Sequence, residues 1–205
     1  MKRTTVRVSL DASPIEAAKL RQLQAMFAQA CNALAPLVQR TKIWNRVALH
    51  HMAYKSLREQ FPQMGSQMAC NAIYSVSRHS RLVYQDPAIP FNVARLAGKP
   101  LPRLHFNETC PVYFDRHTLS IKDGRLSMFT LDGRMRFQVA LAEQDETNFR
   151  EKKLREVVLS RSAADRFELA FVFSDNDVEQ AVPEIGLGAR LPAYMAVEEM
   201  NERPQ

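Results

Sequence analysis

Leu119-Ser120-Ile121-Lys122-Asp123-Gly124-Arg125-Leu126-Ser127-Met128, followed after Phe129-Thr130-Leu131 by Asp132-Gly133-Arg134-Met135-Arg136-Phe137-Gln138-Val139-Ala140-Leu141, decides the fold class of this chain. Leu119 and Ile121, Leu126 and Met128, then Met135, Phe137, Val139 and Leu141 alternate with polar residues, the period of half-buried strands. Asp123-Gly124 and Asp132-Gly133 separate the runs, and Asp-Gly favours tight hairpin turns because glycine takes positive φ without steric cost. The stretch is a β-meander. Residues 143–153 are charged and read as helix or loop. Residues 154–159 and 167–173 then predict a further hairpin around Ser162-Ala163-Ala164-Asp165.

Upstream the period changes. Pro87, Pro90, Gly98, Pro100 and Pro102 break any helix and mark residues 86–102 as a linker. Before it, Ser66 is positioned to start a helix whose inner face is Met68, Ala69, Ala72, Ile73 and Val76. A second helix is expected over about residues 44–60, with Trp44, Val47, His51, Tyr54 and Phe61 as its stripe and Phe61-Pro62 as its stop. Ser13-Pro14-Ile15-Glu16 combines a capping-box pair with proline at the first helical position. The helix it opens repeats apolar residues at Leu23, Phe27, Ala30, Leu34 and Leu37, and Pro36 is expected to kink or end it. At the start, Val6, Val8 and Leu10 alternate with Thr5, Arg7 and Ser9 as a strand.

The 205 residues, 46% hydrophobic, suit one good core or two small ones. No apolar run approaches the roughly 18 to 20 residues that span a bilayer, and the first residues lack a signal peptide's apolar stretch, which reads as a cytoplasmic protein with no membrane partner. Cys31, Cys70 and Cys110 lie far apart with no Cys-x-x-Cys spacing and are expected to be buried free thiols. Residues 1–100 carry 14 Lys/Arg against 4 Asp/Glu, a net of +10, whereas residues 101–205 carry 14 against 18, a net of −4. Such asymmetry points the first half toward a polyanion, because each phosphate neutralised releases counterions.

Two groups of residues suit nucleic-acid contact. Lys42, Arg46, Lys55 and Arg58 fall outside the stripe of the second helix, and Asn71, Tyr74, Arg78 and Arg81 align with Gln67 on another face of the third. That mixture fits phosphate contacts and base stacking, or a solvated face with a half-buried tyrosine. Arg125, Arg134 and Arg136 stand beside Phe129, Met135 and Phe137 in the meander. Either these form a basic, aromatic nucleic-acid face, or the apolar members are core and the arginines are solvated. Arg7 and Arg103 complete the basic set. His50-His51 cannot form a two-histidine metal face, since helix neighbours point about 100° apart. His117 has no positioned nucleophile beside it. No P-loop, dinucleotide fingerprint or serine-hydrolase motif occurs, so no catalytic residue, metal ligand or cofactor is assigned.

The end of the sequence reads Pro183-Glu184-Ile185-Gly186-Leu187-Gly188-Ala189-Arg190. It resembles the first strand of the RuvC nuclease in the insertion-sequence OrfB/TnpB family and related type V CRISPR effectors, where an Asp, the first metal-binding carboxylate, stands at the place of Gly188. Glycine offers no oxygen ligand to Mg²⁺, and the tail after it is too short for the rest of a nuclease. The element order is similar to the front half of that family, with Asn32, Tyr54-Lys55-Ser56-Leu57-Arg58 before Phe61-Pro62, Ser66-Gln67-Met68-Ala69, the Asp-Gly hairpins and Phe167-Glu168-Leu169 as local points of likeness. The departures are the missing RuvC carboxylates and the absent Cys-x-x-Cys segment.

The resemblance implies an α+β protein, an OB-like antiparallel β-barrel (wedge) with an inserted basic helical bundle (recognition lobe). Residues 1–12 would be the first wedge strand, 13–85 the recognition bundle, 86–102 the linker, 103–180 the wedge barrel and 181–205 a vestigial nuclease strand and tail. By the same resemblance the partner is a structured guide-type RNA, with target double-stranded DNA as a further one, and the function is RNA-guided binding or repression without cleavage. Other readings stay open: one part of a split or multi-subunit RNA-guided nuclease whose catalytic part is another protein subunit, or a decoy regulator of a full-length nuclease.

Overall fold

The computed structural model describes residues 3–174 and 190–198, and the nuclease-like strand around Gly188 lies outside them. The protein is α+β, with four α-helices and antiparallel sheets, none of which closes into a barrel among the described residues. It divides into two compact units: residues 3–24 with 111–174, and residues 25–110 with 190–198. The division falls at 110/111 and inside the first helix, not at the linker 86–102.

The first unit is built on two sheets. Strand β1 (Arg3–Ser9) pairs with β8 (Phe167–Ser174), which pairs with β7 (Lys153–Arg161), which pairs with β3 (Val112–Phe114). Neighbouring strands β1 and β8 are therefore separated in sequence by every other described element except one short strand near the end of the sequence. One face of this sheet buries Val6, Val8, Val157, Leu159, Phe167, Leu169, Phe171 and Phe173, and each such side chain contributes about 1.5–3 kcal/mol. Helix α4 (Glu143–Glu151) lays Phe149 edge-on against Phe171 and Phe173, with centroids 5.0 and 4.9 Å away. Its first turn carries Glu143, Asp145 and Glu146, the charge that a helix N-terminus favours. This settles residues 143–153 as helix leading into strand.

The second sheet is the meander: β4 (Leu119–Lys122), β5 (Arg125–Thr130) and β6 (Gly133–Gln138). Asp123 and Gly124 take φ of 49° and 71°, the doubly positive turn that joins twisted strands without splaying them. Leu119, Leu126, Met128, Met135 and Phe137 are buried on one face.

In the second unit, α1 (Pro14–Thr41, shared between the units) is followed by α2 (Arg46–Gln60) and α3 (Ser66–Tyr84). The capping box at the start of α1 forms: Glu16 N–H donates to Ser13 Oγ at 3.3 Å, and Ser13 N–H to the Glu16 carboxylate at 2.9 Å. Pro36 does not end α1. Proline costs a helix interior about 3 kcal/mol, and burial of Leu34, Ala35 and Val38 around it offsets that loss. Helix α2 starts two residues later than expected because Asn45 caps it, accepting from the N–H groups of Val47 and Ala48. Trp44 stands outside the helix, 5.4 Å from the Tyr84 ring, and its carbonyl accepts from Ser77 Oγ. The expected stripe is also replaced: Leu49, Ala53 and Leu57 are buried, while Val47 is 64% exposed. Both stripes have helical spacing, and the aliphatic one goes inside because it carries no polar atom to desolvate.

Gly65, not Ser66, occupies the N-cap of α3, and it makes no side-chain cap bond. The expected inner face of α3 is buried, and so are Asn71, Ser75, Ser77, His79 and Ser80, so burial extends well beyond a single stripe. Short strands β2 (Arg103–Phe106) and β9 (Met195–Glu198) pair with one another in this unit. Cys31 and Cys110 are buried and Cys70 is half-buried.

Candidate nucleic-acid interface

Strand parity places two kinds of residue on opposite faces of the meander. With Leu126, Met128, Met135 and Phe137 inward, the outward residues are Ser120, Lys122, Arg125, Ser127, Phe129, Arg134, Arg136 and Gln138. The register aligns them in rows: Lys122 opposite Arg125 and Arg125 opposite Gln138; Ser120 opposite Ser127 and Ser127 opposite Arg136; Phe129 opposite Arg134. The outward positions therefore hold four cations and no carboxylate. Lys122 and Arg125 face each other directly, an arrangement of like charges that destabilises a sheet.

Phe129 is 40% exposed. The Arg134 guanidinium carbon lies over its ring, 4.1 Å from the centroid. Two hydrogen bonds hold the guanidinium there: Nη1 donates to Ser127 Oγ and Nη2 to the His117 carbonyl, both at 3.2 Å. The His117 turn is in turn fixed by Asp115, which accepts from the N–H groups of His117 and Thr118 at 3.0 Å. His117 thus serves as a turn residue.

Of the alternatives open for Arg125, Arg134, Arg136 and their apolar neighbours, the structure divides the set. Met135 and Phe137 are core, whereas Phe129 shares the arginines' face. Lys122 was not among the residues singled out by sequence, and Phe129 was grouped there with Met135 and Phe137, which the structure separates from it. Strand parity places Phe129, four residues from Arg125, on the arginines' face, and the hairpin register sets Lys122 directly opposite Arg125 across the Asp123-Gly124 turn.

The basic residues of the second unit are more dispersed. Arg46 places its guanidinium carbon 5.3 Å from the Tyr74 centroid, and Arg78 Nη1 donates to the Tyr74 hydroxyl at 3.3 Å, so these three gather. Lys42, just past α1 with φ of 55°, and Lys55 are exposed. Arg81 is half-buried. Arg58 donates to the Met64 carbonyl and so closes the turn between α2 and α3. Asn71 is only 5% exposed, which removes it from the contact set.

The remaining cations have carboxylate partners. Arg7 meets Glu168 at 2.6 Å, and Arg103 pairs with Glu198 through its Nε at 3.0 Å. The hydrogen bond from Arg103 holds the Glu198 carboxyl below the usual carboxylate range.

A polar pair in the second unit, a buried histidine with a half-buried tyrosine, escaped the sequence altogether. His79 Nδ1 lies 2.8 Å from the Ser75 carbonyl and Nε2 lies 2.9 Å from the Tyr194 hydroxyl. A carbonyl only accepts, so Nδ1 carries the proton and Nε2 accepts from the tyrosine. Burial pushes the His79 pKa down to about 4 and the Cys31 thiol up. Among the described residues no three His, Cys, Asp or Glu side chains gather as a metal site, and no helix is long and apolar enough to cross a membrane.

Neither a comparison with protein-family models nor one with curated proteins finds a match to this chain.

Proposed function

We propose that this protein binds RNA and does so without cutting it. The observation that carries the reading is the outer face of β4, β5 and β6, where Lys122, Arg125, Arg134 and Arg136 share one surface with an exposed phenylalanine and no acid. Packing does not require four cations there, and the Lys122–Arg125 opposition costs the fold stability that a bound polyanion would return. The Arg46–Tyr74–Arg78 cluster adds a second basic, aromatic locus.

The finer reading follows from the resemblance to TnpB-type proteins: a nuclease-less relative, acting in the cytoplasm, that holds a structured guide-type RNA and through it meets double-stranded DNA. In its favour, β1 leaves the first sheet, the helices follow, and the chain returns to pair β8 with β1. This order supports the reading of a wedge interrupted by a helical insertion, with sheets that stay open. Gly188 in place of the first nuclease carboxylate supports binding without cleavage.

The test is to purify the protein from its native host, compare absorbance at 260 and 280 nm before and after RNase, and sequence any RNA that remains. One discrete structured RNA is the expected result. Affinity no better than that of a charge-matched control protein overturns the reading. A protein partner retained after RNase treatment would instead favour a subunit of a split or multi-subunit nuclease, or a decoy regulator.

A further inference from the structure

We infer that the Phe129–Arg134 pair is a preorganised stacking platform for one unpaired base, and that the meander face takes a single strand in preference to a duplex. The inference rests on the RNA-binding reading above and adds to it the form of RNA recognised at this face.

A guanidinium at the surface normally sweeps through many rotamers, and immobilising it on binding costs affinity. That of Arg134 is already fixed, with the ring 4.1 Å beneath it and both terminal nitrogens bonded to Ser127 and His117. Arg134 remains exposed, and its guanidinium is a planar, delocalised group on which a base can stack. Bases stack on aromatic rings and on arginine planes, and only a base outside a duplex exposes its face to a protein. The ordering entropy is spent in the free protein, so stacking there costs less than on a mobile side chain.

The surrounding rows suit one extended strand. Outward residues recur about every 6.7 Å along β5, so Arg125, Ser127 and Phe129 form a line that a phosphodiester backbone can follow. Lys122, Arg125 and Arg136 supply phosphate contacts beside the platform. Ser120, Ser127 and Gln138 supply neutral donors and acceptors between the charges, the kind that meet sugar hydroxyls and base edges. A duplex hides its base faces and would use only the cations.

The experiment compares a single-stranded RNA of about 12 nucleotides, within the footprint of a small β domain, with a blunt duplex of the same sequence. One 2-aminopurine in the single strand reports stacking by its fluorescence. The full chain is expected to prefer the single strand and to quench the probe. Phe129→Ala and Arg134→Ala each weaken single-strand binding about 10-fold and abolish quenching, with duplex binding changed little. Arg134→Lys keeps the charge and loses the plane, so it behaves as the alanine variant does. Both side chains are exposed, and a matching thermal midpoint for each variant excludes misfolding. Equal binding of strand and duplex, or full rescue by lysine, overturns the platform while leaving RNA binding intact. Binding of neither RNA overturns both.

Discussion

Asn32 and Phe106 are joined by two hydrogen bonds that imitate a strand pair. The Asn32 amide nitrogen donates to the Phe106 carbonyl and its oxygen accepts from the Phe106 N–H, each at 2.8 Å. A helix side chain thereby satisfies both backbone groups of a residue in β2, which pairs on its other edge with β9. Asn32→Ala leaves a part-buried donor and acceptor without partners, at about 1–3 kcal/mol each. The expected result is a fall of about 2–4 kcal/mol in unfolding free energy, read as a lower urea midpoint with an unchanged slope. Asn32→Asp keeps the acceptor but sets a carboxylate against the carbonyl, and it should rescue little.

His79 gives the protein a stability that depends on pH. Its pKa is pushed down to about 4 by burial, against 6.5 when exposed, so the unfolded chain binds more protons between these values. The His79 contribution is complete above pH 6.5 and is lost as pH falls toward 4. The shift corresponds to about 3 kcal/mol. Urea titrations at several pH values should show stability falling over that window, and His79→Gln should flatten the slope. An unchanged slope in that variant would place the acid sensitivity elsewhere.

Element type was legible in the sequence wherever one periodicity dominated. The capping box at Ser13 and Glu16, the alternation of Val6 and Val8, and the two Asp-Gly turns each specify a local structure that packing then keeps. The misreadings arose where two patterns competed. Helix α2 carries both Val47-His51-Tyr54 and Leu49-Ala53-Leu57 at helical spacing, and only the neighbouring helix decides which turns inward. Asn71 reads as surface because asparagine is usually exposed, yet α3 is buried around much of its circumference. The candidate face was half legible: its arginines were visible, but the side on which Phe129 falls follows from the parity of a whole strand. The pairing of β2 with β9, and the bond from His79 to Tyr194, join residues far apart in sequence and leave no local signature.

Gly124 and Gly133 separate two causes of turn strain. Both hold positive φ, at 71° and 101°, where a side chain is strained. A Cβ on Gly124 would also come within 3.1 Å of Gln138 Nε2 and of the Val139 carbonyl oxygen, whereas one on Gly133 would meet nothing within 4 Å. Gly133→Ala should therefore cost about 1–2 kcal/mol from backbone strain alone, and Gly124→Ala more. Thermal melts of the two variants rank them directly. Equal midpoints would show that the 3.1 Å contacts relax without cost.

Lys122 tests whether the face is kept for binding or for folding, because the two roles predict opposite signs. Directly opposite Arg125, its charge costs the sheet a few tenths to about 1 kcal/mol. Lys122→Thr removes the repulsion and introduces a residue that strands favour, so the thermal midpoint should rise. If the face meets phosphates, the same variant weakens RNA binding and lowers the slope of log affinity against log salt by about 1. Arg7→Ala and Arg103→Ala provide the comparison, since each cation is already matched by a carboxylate, Glu168 or Glu198, and brings little uncompensated charge to RNA. A rise in stability with a loss of affinity at Lys122, and little change of affinity at Arg7 and Arg103, is the expected pattern. Loss of stability at Lys122 would mean that its side chain serves the fold, and the charge argument for this face would lose its main support.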